Sequence, residues 1–198
     1  MDLKNTSIET HPLKPFLPEN ARILMLGSFP PARERWSMDF FYPNWINDMW
    51  RIWGIIFFDD KEHFVAADTA GKKTRRFDKE KCTAFAGEKG IAMYDTAYEV
   101  RRLKNNASDK FLEIITPTDI SMLLSHIPEC TAIVTTGQKA TDVIVETFGC
   151  VEPAVGRQTE VSIGERKLRF WRMPSSSRAY PLALEKQAVF YREMFIQE

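Results

Sequence analysis

Four short segments concentrate the side chains able to do chemistry. In Tyr42-Pro43-Asn44-Trp45-Ile46-Asn47-Asp48, two amides and a carboxylate crowd together just ahead of an apolar helical repeat. An amide donates and accepts hydrogen bonds but is no base at neutral pH, whereas an aspartate such as Asp48 ionises there. Asp95 closes an apolar run, and Gly27-Ser28-Phe29-Pro30-Pro31 follows another. In Pro174-Ser175-Ser176-Ser177-Arg178, hydroxyls and a guanidinium precede the last helical segment, a setting that suits a phosphate.

Metal chemistry has little to stand on. Cys82, Cys130 and Cys150 lie at least twenty residues apart and form no CxxC pair, and His11, His63 and His126 are equally scattered. The cysteines read as reduced structural thiols. Neither GxGxxG nor GxxxxGK[ST] is present, so no phosphate-cradling nucleotide loop is expected, and no metal or cofactor is implied.

The 198 residues carry 27 basic and 27 acidic side chains, so the whole molecule does not advertise a polyanionic partner. Basic charge is nonetheless grouped in Lys72-Lys73-Thr74-Arg75-Arg76, Arg101-Arg102-Leu103-Lys104 and Arg166-Lys167-Leu168-Arg169. Each group reads equally as a solvated loop or helix end. No apolar stretch suits a signal peptide or a membrane span, and the expectation is a soluble, cytoplasmic, monomeric protein of one domain, 1–198.

The elements that must position these segments follow from periodicity. A proline-rich lead-in over 10–20 is extended. Ala21–Gly27, Gly90–Asp95 and Ala132–Gly137 are short apolar runs that end in loops, the pattern of buried parallel strands, and Lys167–Met173 supplies a fourth. Apolar residues recur at helical spacing over Asn47–Phe58, Gln138–Phe148 and Leu182–Ile196, with further helix expected between the second and third strands. Residues 59–81 are polar and read as a partly helical insertion docked by Phe64 and Phe77, the place for a specificity-determining lid. Strand, loop and helix in repetition make an α/β fold: a three-layer α/β/α sandwich around a mainly parallel, four-stranded sheet, with ligands at the carboxyl ends of the strands.

Taken in order, the four segments resemble the uracil-DNA glycosylase superfamily. The nearest likeness is to its hypoxanthine-DNA glycosylase and mismatch-specific (thymine/uracil) branches. Ile23 to Pro31, continued by Phe41-Tyr42-Pro43-Asn44 and Asn47-Asp48-Met49-Trp50, is similar to the first motif region; Gly90 to Thr96, continuing to Arg101 and Ser108-Asp109, to the second-strand segment; and Met173 to Tyr180 to the second motif. The resemblance spans about residues 10–196, apart from the insertion, and implies a monofunctional, cofactor-free DNA N-glycosylase that hydrolyses the bond to a flipped-out deaminated, damaged or mismatched base in double- or single-stranded DNA.

Roles follow from that resemblance. The superfamily often places an Asp or Asn at the position of Phe29 and a histidine at that of Met173, so uracil-specific chemistry of the usual kind is not expected. Asn47 becomes the leading catalytic candidate, to position water or read the base edge, with Asn44 its rival at a spacing shifted from the family's and Asp48 ranked below both. Gly27, Ser28, Phe29, Pro30, Tyr42 and Asp95 are base-binding candidates, Tyr42 and Phe29 by stacking; Ser175, Ser176, Ser177 and Arg178 are DNA-binding candidates, Arg178 through a phosphate or as a wedge. Each has a plainer reading: helix cap for Asn47 and the serines, turn cap for Asp95, core packing for Phe29, surface charge for Arg178. Two rival functions remain open, a catalytically weak or inactive DNA-binding relative and a small-molecule α/β enzyme.

Overall fold

The computed structural model describes residues 7–103 and 111–198; Lys104, Ser108 and Asp109 lie outside them. Three mainly apolar runs, β2 (Ile23–Gly27), β5 (Ile91–Asp95) and β8 (Ala132–Thr136), are buried along nearly their whole length, as strands covered on both faces must be, and the polar Thr135 inside β8 is hydrogen-bonded to Thr141. They pair parallel, and β10 (Arg166–Met173) adds to β8 in the same sense. A fifth strand, β9 (Arg157–Ile163), returns antiparallel onto β10 through a turn at Gly164-Glu165, giving the order β5-β2-β8-β10-β9. The sheet therefore has five strands rather than the expected four. The strand missed alternates exposed and buried residues, a pattern fit for an edge.

The proline-rich lead-in is extended, as expected, and has a positional use. Phe16 and Met93 exchange backbone hydrogen bonds of 3.0 and 2.9 Å, which cover the outer edge of β5. Upstream of the prolines, β1 (Ile8–Thr10) joins β6 (Ala97–Arg102) and β7 (Leu112–Pro117) in a separate antiparallel sheet. Helix had been expected between the second and third strands. Among the described residues of that interval, β6 and β7 come first and the short helix α3 (Ile120–Ser125) follows.

α1 (Met49–Phe58), α2 (Lys79–Glu88) and α5 (Leu184–Gln197) share an aromatic core. Trp50 and Trp53 meet edge to face at 4.8 Å, and Trp53 packs on Phe85 of α2 and Phe195 of α5. α4 (Gln138–Phe148) lies against β8 and β9. The polar insertion, 59–81, is mainly a hairpin, β3 (Val65–Ala67) with β4 (Lys73–Phe77), and is helical only where α2 begins at Lys79; Phe64 and Phe77 dock it. Among the described residues no helix is long and apolar enough to cross a membrane, and no three His, Cys, Asp or Glu side chains cluster as metal ligands. Burial pushes the Cys130 thiol up to about 11 and raises that of Cys82 further, so neither is a ready nucleophile.

Trp50 is fully buried among Trp53, Phe40 and Phe64. Trp50→Ala is expected to cost about 3–5 kcal/mol, read as a lowered urea midpoint at unchanged slope.

Candidate functional site

Because β2, β5, β8 and β10 are parallel, their carboxyl ends and the following loops gather at one edge of the sheet. Gly27 stands opposite Asp95 and Met173 opposite Thr136 in the register. Between the loops lies a cleft of about 480 Å³. Most of the candidate residues line it: Gly27, Ser28, Phe29 and Pro30 after β2; Tyr42, Asn44 and Asn47 before α1; Asp95 after β5; and Ser175, Ser176 and Ser177 after β10. Asp48 and Arg178 do not.

Asp48 is buried beneath the cleft. Its Oδ1 accepts from Arg51 Nη1 at 3.1 Å and from Arg178 Nε at 3.0 Å, and its Oδ2 accepts from Arg178 Nε at 3.2 Å. Two guanidiniums occupy this carboxylate, which stands outside the cleft lining that holds Asn44 and Asn47. Arg178 is held as a partner to Asp48, although its side chain remains 44% exposed toward solvent. Burial and the nearby Arg178 charge lower the affinity of Arg51 for its proton, while Trp45 and Phe77 stack on its guanidinium at 4.2 and 5.0 Å.

The backbone repeats this clasp. Asn47 and Ser177 form an antiparallel bridge, and Asp48 N donates to Ser176 O at 2.8 Å, so the segments before α1 and after β10 are pinned together. The serines were expected at the start of the last helix. That helix begins at Leu184, beyond Pro181, and the serines occupy a turn of their own. Ser177 N donates to Ser175 Oγ and Ala179 N to Ser177 Oγ, both at 3.3 Å.

The asparagines behave alike. Asn44 Oδ1 accepts from Ile46 N at 3.1 Å and Asn47 Oδ1 from Met49 N at 2.9 Å. The oxygen of Asn47 is thus engaged just ahead of α1, whose N-cap is Asp48, and its Nδ2 is the part left to act on a ligand. Tyr42 adopts φ +52, the left-handed region that a bulky residue rarely enters. Among the described residues its buried hydroxyl has no partner at good hydrogen-bond geometry, Thr136 being the neighbouring hydroxyl. That burial pushes its pKa well up, and the neighbouring Thr136 hydroxyl favours the phenolate too weakly to offset it. Phe29 belongs partly to the core, packing with Ala97 and Val100 and lying 5.4 Å from the His11 ring.

His11 is the functional-looking residue that sequence reasoning passed over. Its side chain is wholly buried, and its Nε2 lies 2.9 Å from Asp95 Oδ2. Met173, in the position where the resemblance calls for a histidine, is buried in the core.

Among solved structures, the chain is similar to the solution NMR structure of a Methanosarcina acetivorans protein provisionally named a uracil DNA glycosylase. The TM-score is 0.58 at 23% identity, over 96% of this chain and 99% of that one. At this identity the likeness is one of fold. No protein-family model matches the chain, and no curated protein does.

The ion-pair clasp makes a stability forecast. Asp48→Ala strands the buried Arg51 charge and is expected to cost about 3 kcal/mol, whereas Arg178→Ala, at a half-exposed position, should cost under about 1 kcal/mol. Chemical denaturation of the two variants side by side checks the order, and equal losses would show that Asp48 is not the centre of the clasp.

Proposed function

We infer that the chain is a DNA N-glycosylase that hydrolyses the bond between deoxyribose and a deaminated, damaged or mismatched base turned out of the helix into this cleft. The observation that carries the reading is the hydrogen-bonding polarity of the cleft. Asn44 and Asn47 have committed their oxygens to backbone amides, leaving the Nδ2 hydrogens. Ser175 and Ser177 accept from the backbone, leaving their hydroxyl hydrogens, and Arg35 stands at the rim. A rim of donors suits a ligand of acceptors, as a phosphodiester with a carbonyl-bearing base is.

Base hydrolysis asks three things of such a cleft. The extruded base must be held, and the faces of Tyr42 and Phe41 with the Gly27–Pro30 loop offer a slot for a flat ring. Charge developing on the departing base must be met by a donor, and Asn47 Nδ2, oriented by its capped oxygen, serves that purpose better than the water-positioning role an amide oxygen would play. The flanking phosphates must be gripped, which falls to the serine turn with the exposed part of Arg178. The likeness of fold to a protein provisionally named a uracil DNA glycosylase, together with the order of the sequence motifs, supports the same reading. The hypoxanthine-type or mismatch-type substrate is preferred because Phe29 and Met173 stand where uracil-specific chemistry would need polar groups, and the whole chain, 1–198, is read as one domain acting as a monomer.

The test is a panel of duplex and single-stranded oligonucleotides carrying uracil, hypoxanthine, xanthine or a mismatched thymine, each incubated with the protein and then cleaved with alkali. Strand scission is expected on at least one deaminated base and none on undamaged DNA; intact strands throughout would overturn the reading. On the substrate that is cleaved, Asn47→Ala should slow single-turnover release about a hundredfold, with little change in stability, and Asn44→Ala should slow it far less.

A further inference from the structure

Building on the glycosylase reading, the geometry points to a buried His11–Asp95 pair in which Asp95 is the catalytic carboxylate of the cleft and His11 the positioning residue that aims it. Among the described residues that line the cleft, Asp95 is the one acid. The other carboxylate nearby, Asp48, is held by two arginines outside the cleft lining, and the amide oxygens of Asn44 and Asn47 are spent on backbone amides. An oxocarbenium-like sugar needs an anion or a proton acceptor close by, and Asp95 is what the cleft contains.

Its aim is fixed from two sides. Asp95 Oδ2 takes a hydrogen from His11 Nε2 at 2.9 Å. On the imidazole's far side, Nδ1 lies 2.9 Å from Leu13 O and 3.2 Å from Leu13 N. A charged ring donates to the carbonyl there, and a neutral ring accepts from the amide; with Asp95 ionised, both forms keep the Nε2 hydrogen on Oδ2. The ring is caged by Tyr94 at 4.3 Å, Phe29 at 5.4 Å and Phe41 at 6.4 Å, so it has no second place to go. The other oxygen, Oδ1, occupies the space over Gly27, where any Cβ would collide with it. Gly27, Asp95 and His11 therefore form one unit: a gap, the carboxylate that fills it, and the base that holds the carboxylate there.

The reaction then balances on this chain's own groups. The C1′–N bond breaks with both electrons leaving on the base, which Asn47 Nδ2 meets as a donor. A water oxygen gives a lone pair to C1′, and its proton passes to Asp95 Oδ1. The base then takes a proton from solvent, and Asp95 releases its own.

The charge of Asp95 and the service of His11 can be read without turnover. Duplexes carrying either a cationic pyrrolidine or a neutral tetrahydrofuran in place of the target nucleotide are bound by the full chain, and the ratio of affinities is measured. The wild type is expected to favour the cation by about tenfold or more. Asp95→Asn should bring the two affinities together. His11→Leu should cut the preference while leaving the affinity for the neutral duplex unchanged, and His11→Gln, which keeps a donor near Nε2, should restore it. Equal affinities in the wild type, a preference that survives Asp95→Asn, or His11→Gln behaving as His11→Leu does would each overturn the assignment. Charge preference without base release on any substrate would instead sink the glycosylase reading and with it the catalytic role of Asp95; base release without charge preference would sink the assignment of the pair alone.

Discussion

Parallel pairing in register governs everything at the functional edge. β2, β5, β8 and β10 run the same way, so their last residues, Gly27, Asp95, Thr136 and Met173, arrive side by side. A parallel sheet buried on both faces offers polar side chains no room along its length and reserves its ends for them. Asp95 is the case in point: four apolar residues precede it in β5, and the fifth position is where the sheet stops needing an apolar side chain. Opposite stands Gly27, whose missing side chain is the vacancy that the carboxylate occupies. A larger residue there would change the direction of Asp95 without touching a ligand.

The second constraint is the clasp between segments 130 residues apart in sequence. Arg178 and Arg51 share Asp48, and Asn47 pairs with Ser177 through the backbone. Two charges taken from water, with the half-exposed Arg178 beside them, are tolerable because each finds partners: Arg51 also donates to the carbonyls of Trp45 and Asn47. Such a network contributes definition more than net stability. It fixes the entry of α1 against the serine turn, and the two asparagine amides and the serine hydroxyls face one cleft as a result. The acidic residue most exposed to a catalytic interpretation in the sequence is thus the one that assembles the site from below.

What could be read from the sequence follows from how local each determinant is. β2, β5 and β8 announce themselves as apolar runs, and α4 spans the interval its periodicity gives, Gln138–Phe148, because tertiary packing on this side agrees with local preference. The cleft residues were legible as a set because loops at strand ends are where ligands bind, so finding the strands located the loops. β6 and β7 were not legible: Ala97-Tyr98-Glu99-Val100-Arg101-Arg102 mixes charge with apolar residues, and its pairing with Ile8–Thr10 depends on residues some ninety positions away. His11 was invisible for the same reason. Nothing near it in sequence hints at Asp95, and it is the pairing of β1 with β6 on one side of His11 and of Phe16 with Met93 on the other that brings the two together. The serine turn was mistaken for a helix start because serine at a cap and serine in a turn make the same bond to a backbone N–H two or three residues on; Pro181 decides between them by delaying the helix to Leu184.

On the glycosylase reading, a chain without net charge needs an explanation, and the disposition of its arginines gives one. Arg166 is spent on the carbonyls of Leu124, Ile127, Pro128 and Cys130, while Arg169, Arg172, Arg101 and Arg102 are paired with Glu198, Glu152, Glu113 and Glu9. The two basic groups around Arg101 and Arg166 are therefore engaged within the fold in large part, while Lys72, Lys73, Arg75 and Arg76 lie exposed on or beside the β3–β4 hairpin and outside the cleft lining. What remains is short-range: amide and hydroxyl hydrogens with fixed directions around a narrow cleft, a half-exposed Arg178, and one carboxylate at the floor. Directional donors gain little from a strand merely passing by and much from a nucleotide seated among them. On the glycosylase reading, a site built this way discriminates by what enters it rather than by attraction from a distance, and its single buried negative charge is useful only to a sugar that becomes positive there.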